Sequence, residues 1–166
     1  MNNILILQYY EDEPGTSSIA RQCEIIMVQN KISSSYDLLL YAEDASVKPE
    51  DDSDEYEDTD PVIVGCLYYR HNLEDNCYMA DLAIRSDYQR KGIGSKLIDE
   101  FIDFCKEQHN SGVYQNMYDE VDEDDEQRKD YIRLHVVNPN IVNMLKRKGF
   151  EIDGIHGYEH IMTRDI

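Results

Sequence analysis

Apolar positions along this chain fall into two rhythms, and the rhythms predict its elements. Leu97, Ile98, Phe101, Ile102, Phe104 and Cys105 lie close to helical spacing and predict a helix over about 93–108. Ile141, Val142, Met144 and Leu145 give a second helix its apolar face, and Pro139 suits its first turn. A third helix, Ile19 to Gln29, follows Pro14-Gly15-Thr16-Ser17-Ser18, a turn with an available cap. Between the helices lie apolar runs of strand length. These are Ile4 to Tyr10, Tyr36 to Ala42, Pro61 to Tyr69, 77–85, 131–137, Phe150 to Ile155 and Glu159 to Arg164. The third and fourth are predicted to form a hairpin through His71 to Asn76, and 109–130 to be a long connection. The order β-α-β-β-β-α-β-α-β-β predicts an α/β fold, a mixed twisted sheet with helices packed on it. There is no internal repeat, and 166 residues suit one domain, 1–166.

The net charge of −19 changes this picture less than its size suggests. Glu43 to Asp60 holds ten acids and one base, and Asp119 to Asp130 holds eight acids and two bases, so these runs carry fifteen of the nineteen net charges. Neither has apolar periodicity, and both read as solvated loop insertions, about 43–60 and 115–130. Such loops either attract a basic substrate, a lysine-rich tail or a polyamine, or only keep the protein in solution. Binding to nucleic acid is disfavoured, because like charge repels phosphate. No calcium loop is expected: Asp52 and Asp54 are spaced for one, but the glycine and closing glutamate are missing.

Cys23, Cys66, Cys77 and Cys105 have no metal-ligand spacing, so no metal is expected. They read as free thiols in a reducing, intracellular setting, cytoplasmic with the nucleus left open. No apolar stretch approaches the ~20 residues of a membrane span, and the N-terminus lacks the layout of a signal peptide.

The chemistry concentrates at Gln89-Arg90-Lys91-Gly92-Ile93-Gly94, between the strand at 77–85 and the helix that follows. A turn there aims backbone N–H groups at one point, where the positive end of the helix dipole adds to them. Gly92 and Gly94 leave the main chain bare to a phosphate oxygen, and Arg90 and Lys91 add charge. A glycine pair before a helix also serves close helix–strand packing. The spacing is not that of a P-loop, and Leu97 stands where the third glycine of a dinucleotide fingerprint belongs.

The wider string from Ala83 to Leu97 resembles the central motif of the GNAT acetyltransferase superfamily, Gln/Arg-x-x-Gly-x-Gly/Ala. Ile132 to Asn138, the helix to Lys148 and Gly149-Phe150 are similar to that family's next strand, helix and closing Gly-Phe. The resemblance covers roughly 76–152. It implies a single GNAT-like domain with about seven strands, mostly antiparallel, whose central pair splays apart. It implies acetyl-coenzyme A as acetyl donor. Gln89, Arg90, Lys91, Gly92, Ile93, Gly94 and Ser95 would hold the pyrophosphate, and the backbone of Leu82, Ala83 and Ile84 would pair with the pantetheine arm. Asn138 matches the family's asparagine. The implied reaction is direct attack of a primary amine on the thioester.

The resemblance also carries candidates for proton handling. Tyr78 with Leu82 is similar to the Tyr-x-x-x-Leu of the protein N-terminal acetyltransferase branch, although in a chain with 13 tyrosines it also reads as a packed sheet residue. Leu134-His135-Val136 reproduces a Leu-His-Val string in which that branch carries a catalytic histidine, while ungapped alignment to Asn138 puts Arg133 at the histidine's place. Tyr158 is the candidate for the acceptor groove, with Glu159 and His160 departing from the branch's paired tyrosines. Leu145 stands where many members have a tyrosine acid.

A lysine amine of pKa ~10.4 needs roughly 4.6 kcal/mol to be neutral at pH 7, against about 1.1 for an α-amine near ~7.8. A site without a strong base therefore suits an α-amine better. The acceptor expected is an amine of a protein or peptide. A small molecule or polyamine is the alternative, and a non-catalytic acyl-coenzyme A-binding module recruiting a basic partner is the alternative of another class. Oligomeric state is not legible.

Overall fold

Helix and strand boundaries follow from where the chain can cap and bury its ends. The computed structural model describes residues 3–13, 16–47, 60–112 and 130–166. Its elements are β1 (Ile4–Gln8), α1 (Thr16–Gln29), β2 (Asp37–Asp44), β3 (Ile63–Asn72), β4 (Cys77–Ile84), a 3-10 turn (Ser86–Tyr88), α2 (Ile93–Ser111), β5 (Tyr131–Val136), α3 (Pro139–Arg147), β6 (Glu151–His156) and β7 (Glu159–Asp165). The seven strands form one sheet in the order β1-β2-β3-β4-β5-β7-β6. It is mixed and mostly antiparallel. The parallel pair is β4 with β5, matched at Cys77↔Tyr131, Tyr78↔Ile132 and Met79↔Arg133. That ladder stops at Met79, five residues before β4 ends.

Two compact units are distinguishable, residues 1–68 with 81–98 and residues 69–80 with 99–166. In the first, α1 lays Ile19, Cys23, Ile26 and Met27 against Ile63, Cys66 and Ala83. Gln22 ties the helix to the start of β3, donating to the Pro61 carbonyl at 2.9 Å and accepting from the Ile63 N–H at 3.1 Å. Bare Gly65 makes room for Ile84, since a Cβ there would stand 2.7 Å from Ile84 Cδ1.

In the second unit, β5 buries Ile132, Leu134 and Val136 and turns Tyr131, Arg133 and His135 to its other face, the period of two that defines a strand. Pro139 opens α3, and the Asn138 side chain caps it by accepting from the Asn140 N–H at 2.9 Å. Gly149, at φ +84°, closes it in the left-handed region, and the Phe150 N–H returns to the Leu145 carbonyl. The Tyr69 ring meets Phe104 of α2 edge-on at 5.1 Å.

The predicted element order is the observed one, with differences of detail, among them that β1 ends at Gln8 and α2 runs on to Ser111. α1 begins at Thr16, three residues early, because its first turn is polar. β3 runs on to Asn72, so His71 belongs to the strand and the hairpin turn is confined to 73–76. A 3-10 turn stands between β4 and the glycines. β2 includes Glu43 and Asp44, which the charge pattern assigned to a loop. Most of both acidic runs, 48–59 and 113–129, lies outside the described residues. Asp130, last of the second run, bonds to His109 Nδ1 at 2.8 Å. Among the described residues, no helix is long and apolar enough to cross a membrane, and no group of three His, Cys, Asp or Glu is placed to hold a metal. All four cysteines are free and buried.

Candidate functional site

The glycine turn leaves main-chain N–H groups bare at the start of α2. The first bond inside α2 runs from the Lys96 N–H to the Gly92 carbonyl at 3.1 Å, so Gly92 is the cap residue. The N–H groups of Ile93, Gly94 and Ser95 consequently have no partner within the helix and stand at its positive end. Arg90 and Gly92 both adopt left-handed conformations, φ +62° and +81°, which coil the approach to the helix. The two glycines do different work. A Cβ on Gly92 would have nothing within 4 Å, so there the residue is required by its conformation and faces open space. A Cβ on Gly94 would rest 3.5 Å from Leu82 Cδ2 and 3.8 Å from Ile84 Cγ1, ordinary contact. Bare amides, an unfilled direction at Gly92 and exposed Arg90 and Lys91 together fit a phosphate group.

Beside the turn, the last residues of β4 are held by side chains. The Ile84 carbonyl accepts from Gln89 Nε2 and from Asn30 Nδ2, both at 3.1 Å, and Gln89 also reaches Asn30 Oδ1 at 3.3 Å. Gln89 is thus seen fastening the turn to β4. Ala83 is buried, and Leu82 and Ile84 are half-buried.

Sequence reasoning missed the deepest polar group of this unit. Asp44 is 1 % exposed. Its carboxylate accepts from the Ser46 N–H at 3.0 Å, from the Ser46 hydroxyl, and from the Tyr88 hydroxyl at 2.7 Å. The Ser46 bonds above all, helped by Tyr88 and nearby Lys91 and opposed by burial, hold Asp44 below the ordinary carboxylate range. Tyr88, conversely, is pushed up, chiefly because its hydroxyl donates to that carboxylate. A group with a depressed folded pKa stabilises the fold above its unfolded pKa and loses that contribution as pH falls toward the folded one. The stability margin of the wild type over Asp44→Asn should therefore stay level near neutrality and shrink below about pH 4. Urea melts of both proteins at a series of pH values measure it.

The second unit holds the other candidates. Tyr78 is wholly buried on β4, its ring stacked on His71 at 4.1 Å and 5°. Burial, partly countered by Asp130, depresses the His71 imidazole. His135 is exposed on β5, and its Nδ1 stands 3.3 Å from Glu159 Oε2. The register His135↔Ile161 makes Glu159 a diagonal neighbour on the same face. Arg133, on that face too, donates from Nη2 to the Tyr131 hydroxyl at 2.8 Å. Tyr158 is 90 % exposed between β6 and β7. Asn138 caps α3, and Leu145 is fully buried on the apolar side of that helix, a position that demands an apolar residue. Glu159 and His71 were not legible as partners, because both relationships depend on strand register.

The acetyltransferase (GNAT) family matches residues 31–139. No curated protein matches the chain in sequence. Among solved structures, the fold is similar to one in the NatC complex bound to Gag peptide and CoA, with TM-score 0.62, 16% identity, and 100% of this chain and 99% of that chain covered. A spermidine N-acetyltransferase, the SpeG chimera from Vibrio cholerae and hSSAT, gives TM-score 0.52, 17% identity and coverage of 96% and 93%. Phosphinothricin acetyltransferase from Sinorhizobium meliloti, solved with AcCoA, gives 0.51, 15%, and 96% and 74%. At such identities the likeness is one of fold.

Proposed function

Because the chain belongs to the acetyltransferase (GNAT) family and is an acetyl-coenzyme A-dependent acetyltransferase, we propose that its acceptor is a primary amine of a protein or peptide, an N-terminal α-amine ahead of a lysine. Residues 1–166 act as one N-acetyltransferase domain. Acetyl-coenzyme A supplies the thioester. The amides of Ile93, Gly94 and Ser95 with Arg90 and Lys91 hold its phosphates, and the main chain of Leu82, Ala83 and Ile84 lies along its arm. The amine attacks the acetyl carbon directly, with no covalent enzyme intermediate.

The exposed His135 beside Glu159 is the observation that carries the acceptor assignment. An imidazole oriented by a carboxylate can take a proton from an amine that needs only about 1.1 kcal/mol to be neutral at pH 7, which describes an α-amine and not a lysine. Buried Tyr78 positions this chemistry from within the sheet, and exposed Tyr158 meets the acceptor. The Gag peptide in the NatC complex supports a peptide acceptor for this fold, while the spermidine enzyme supports a polyamine. The acidic runs would draw either through long-range attraction. Four buried free thiols suit a reducing, cytoplasmic setting.

Thiol release from acetyl-coenzyme A, measured against free-α-amine peptides, α-blocked lysine peptides and polyamines, tests the reading. Turnover is expected on the α-amine peptides. Turnover confined to polyamines would replace the peptide assignment with the small-molecule one.

A further inference from the structure

We propose that Asp44, acting through Tyr88, is a positioning residue for the donor's phosphates, an inference that rests on the glycine turn being the phosphate site. Asp44 closes β2, and its main chain is fixed from both sides. It pairs with Ile4 of β1, and its N–H donates to the Val62 carbonyl at 3.0 Å. From this anchored position the buried carboxylate reaches one residue of the turn region, the Tyr88 hydroxyl, at 2.7 Å. Tyr88 ends the 3-10 turn, directly before Gln89-Arg90-Lys91-Gly92.

The ring it fixes is itself a mount for charge. Lys91 Nζ lies 4.5 Å from the ring centroid and the Arg85 guanidinium 4.6 Å. Arg85 is clamped in turn by two bonds to Asp87, at 2.7 and 2.8 Å. The hydrogen bond thus holds one end of a buried ring, and the face of that ring receives Lys91.

A buried negative charge close to an anion site is electrostatically unhelpful to the anion. Its value must lie in geometry. A charge-assisted O–H···O⁻ bond is short and strong, and a phosphate site made of main-chain amides loses most of its affinity when they are poorly aimed. Asp44 supplies that bond from a strand, the more rigid support, to a turn with no regular ladder of its own.

Kinetics with two donors separate this role from a merely structural one. Acetyl-coenzyme A and acetyl-pantetheine present the same thioester, but only the first has the pyrophosphate. Tyr88→Phe should raise the KM for acetyl-coenzyme A about tenfold, with kcat held within about twofold, and leave acetyl-pantetheine kinetics unchanged. Asp44→Asn keeps an oxygen that can accept from Tyr88, so it should raise the same KM less. Equal losses on both donors, or an unmoved KM for acetyl-coenzyme A in both variants, would overturn the positioning role while the phosphate site stands. A wild type that uses both donors equally well would remove the phosphate site and this inference with it.

Discussion

Gly92→Val is expected to weaken coenzyme A binding about a hundredfold or more, while Gly94→Ala, two residues on, leaves it within a few-fold of wild type. At position 92 the backbone is left-handed and the Cβ direction is open. A side chain there can be accommodated by the protein, at about 1–2 kcal/mol of conformational strain. It then occupies the space from which a phosphate oxygen would approach, or relaxes the turn and re-aims the amides. Each outcome costs charge-assisted bonds to the anion. At position 94 the backbone is ordinary, and a methyl group meets Leu82 and Ile84 at normal distances. Alanine should therefore raise stability, by a few tenths to about 1 kcal/mol, because it lowers the entropy lost on forming the helix. The motif that the turn resembles accepts alanine at this place. Calorimetric titration with coenzyme A, beside a thermal melt of each variant, reads both quantities. Undiminished binding by Gly92→Val would show that the phosphates are held elsewhere.

Local rules made much of this legible, and long-range partners explain the rest. β5 could be located to within a residue as an apolar run of strand length at 131–137, and α3 by Pro139 in its first turn and the apolar face of Ile141, Val142, Met144 and Leu145. The glycine turn was visible because its demands are those of short-range backbone geometry. Asp44 was not. In sequence it is one acid in a run of acids, and nothing nearby announces that a tyrosine 44 residues later will bond to it. The same blindness shortened β2, since two carboxylates were read as solvent-seeking although one is satisfied internally. Glu159 counted only as a departure from a pattern until antiparallel register placed it diagonal to His135. His71 fell in a supposed turn because its stacking partner, Tyr78, lies on the next strand. Leu145, a visible departure from the family's tyrosine, is explained by its full burial on α3.

His135→Ala is the variant expected to cost most in turnover. General base catalysis contributes about 10²–10⁴-fold, so kcat on the preferred amine should fall at least about a hundredfold. Coenzyme A affinity should not move, because none of the groups assigned to the phosphates is altered. Nor should the fold suffer: His135 and Glu159 are 48% and 41% exposed, and ion pairs in water contribute little to stability. Added imidazole should restore part of the lost rate, a rescue that a purely structural histidine would not show. Glu159→Gln keeps an oxygen near the ring but removes the carboxylate that orients it, and its loss should be about tenfold. The order of the two variants carries the argument, since an orienting group matters only through the base it orients. If His135→Ala turns over within a few-fold of wild type, the base lies elsewhere, and the preference for an α-amine would then rest on the acceptor's own neutrality.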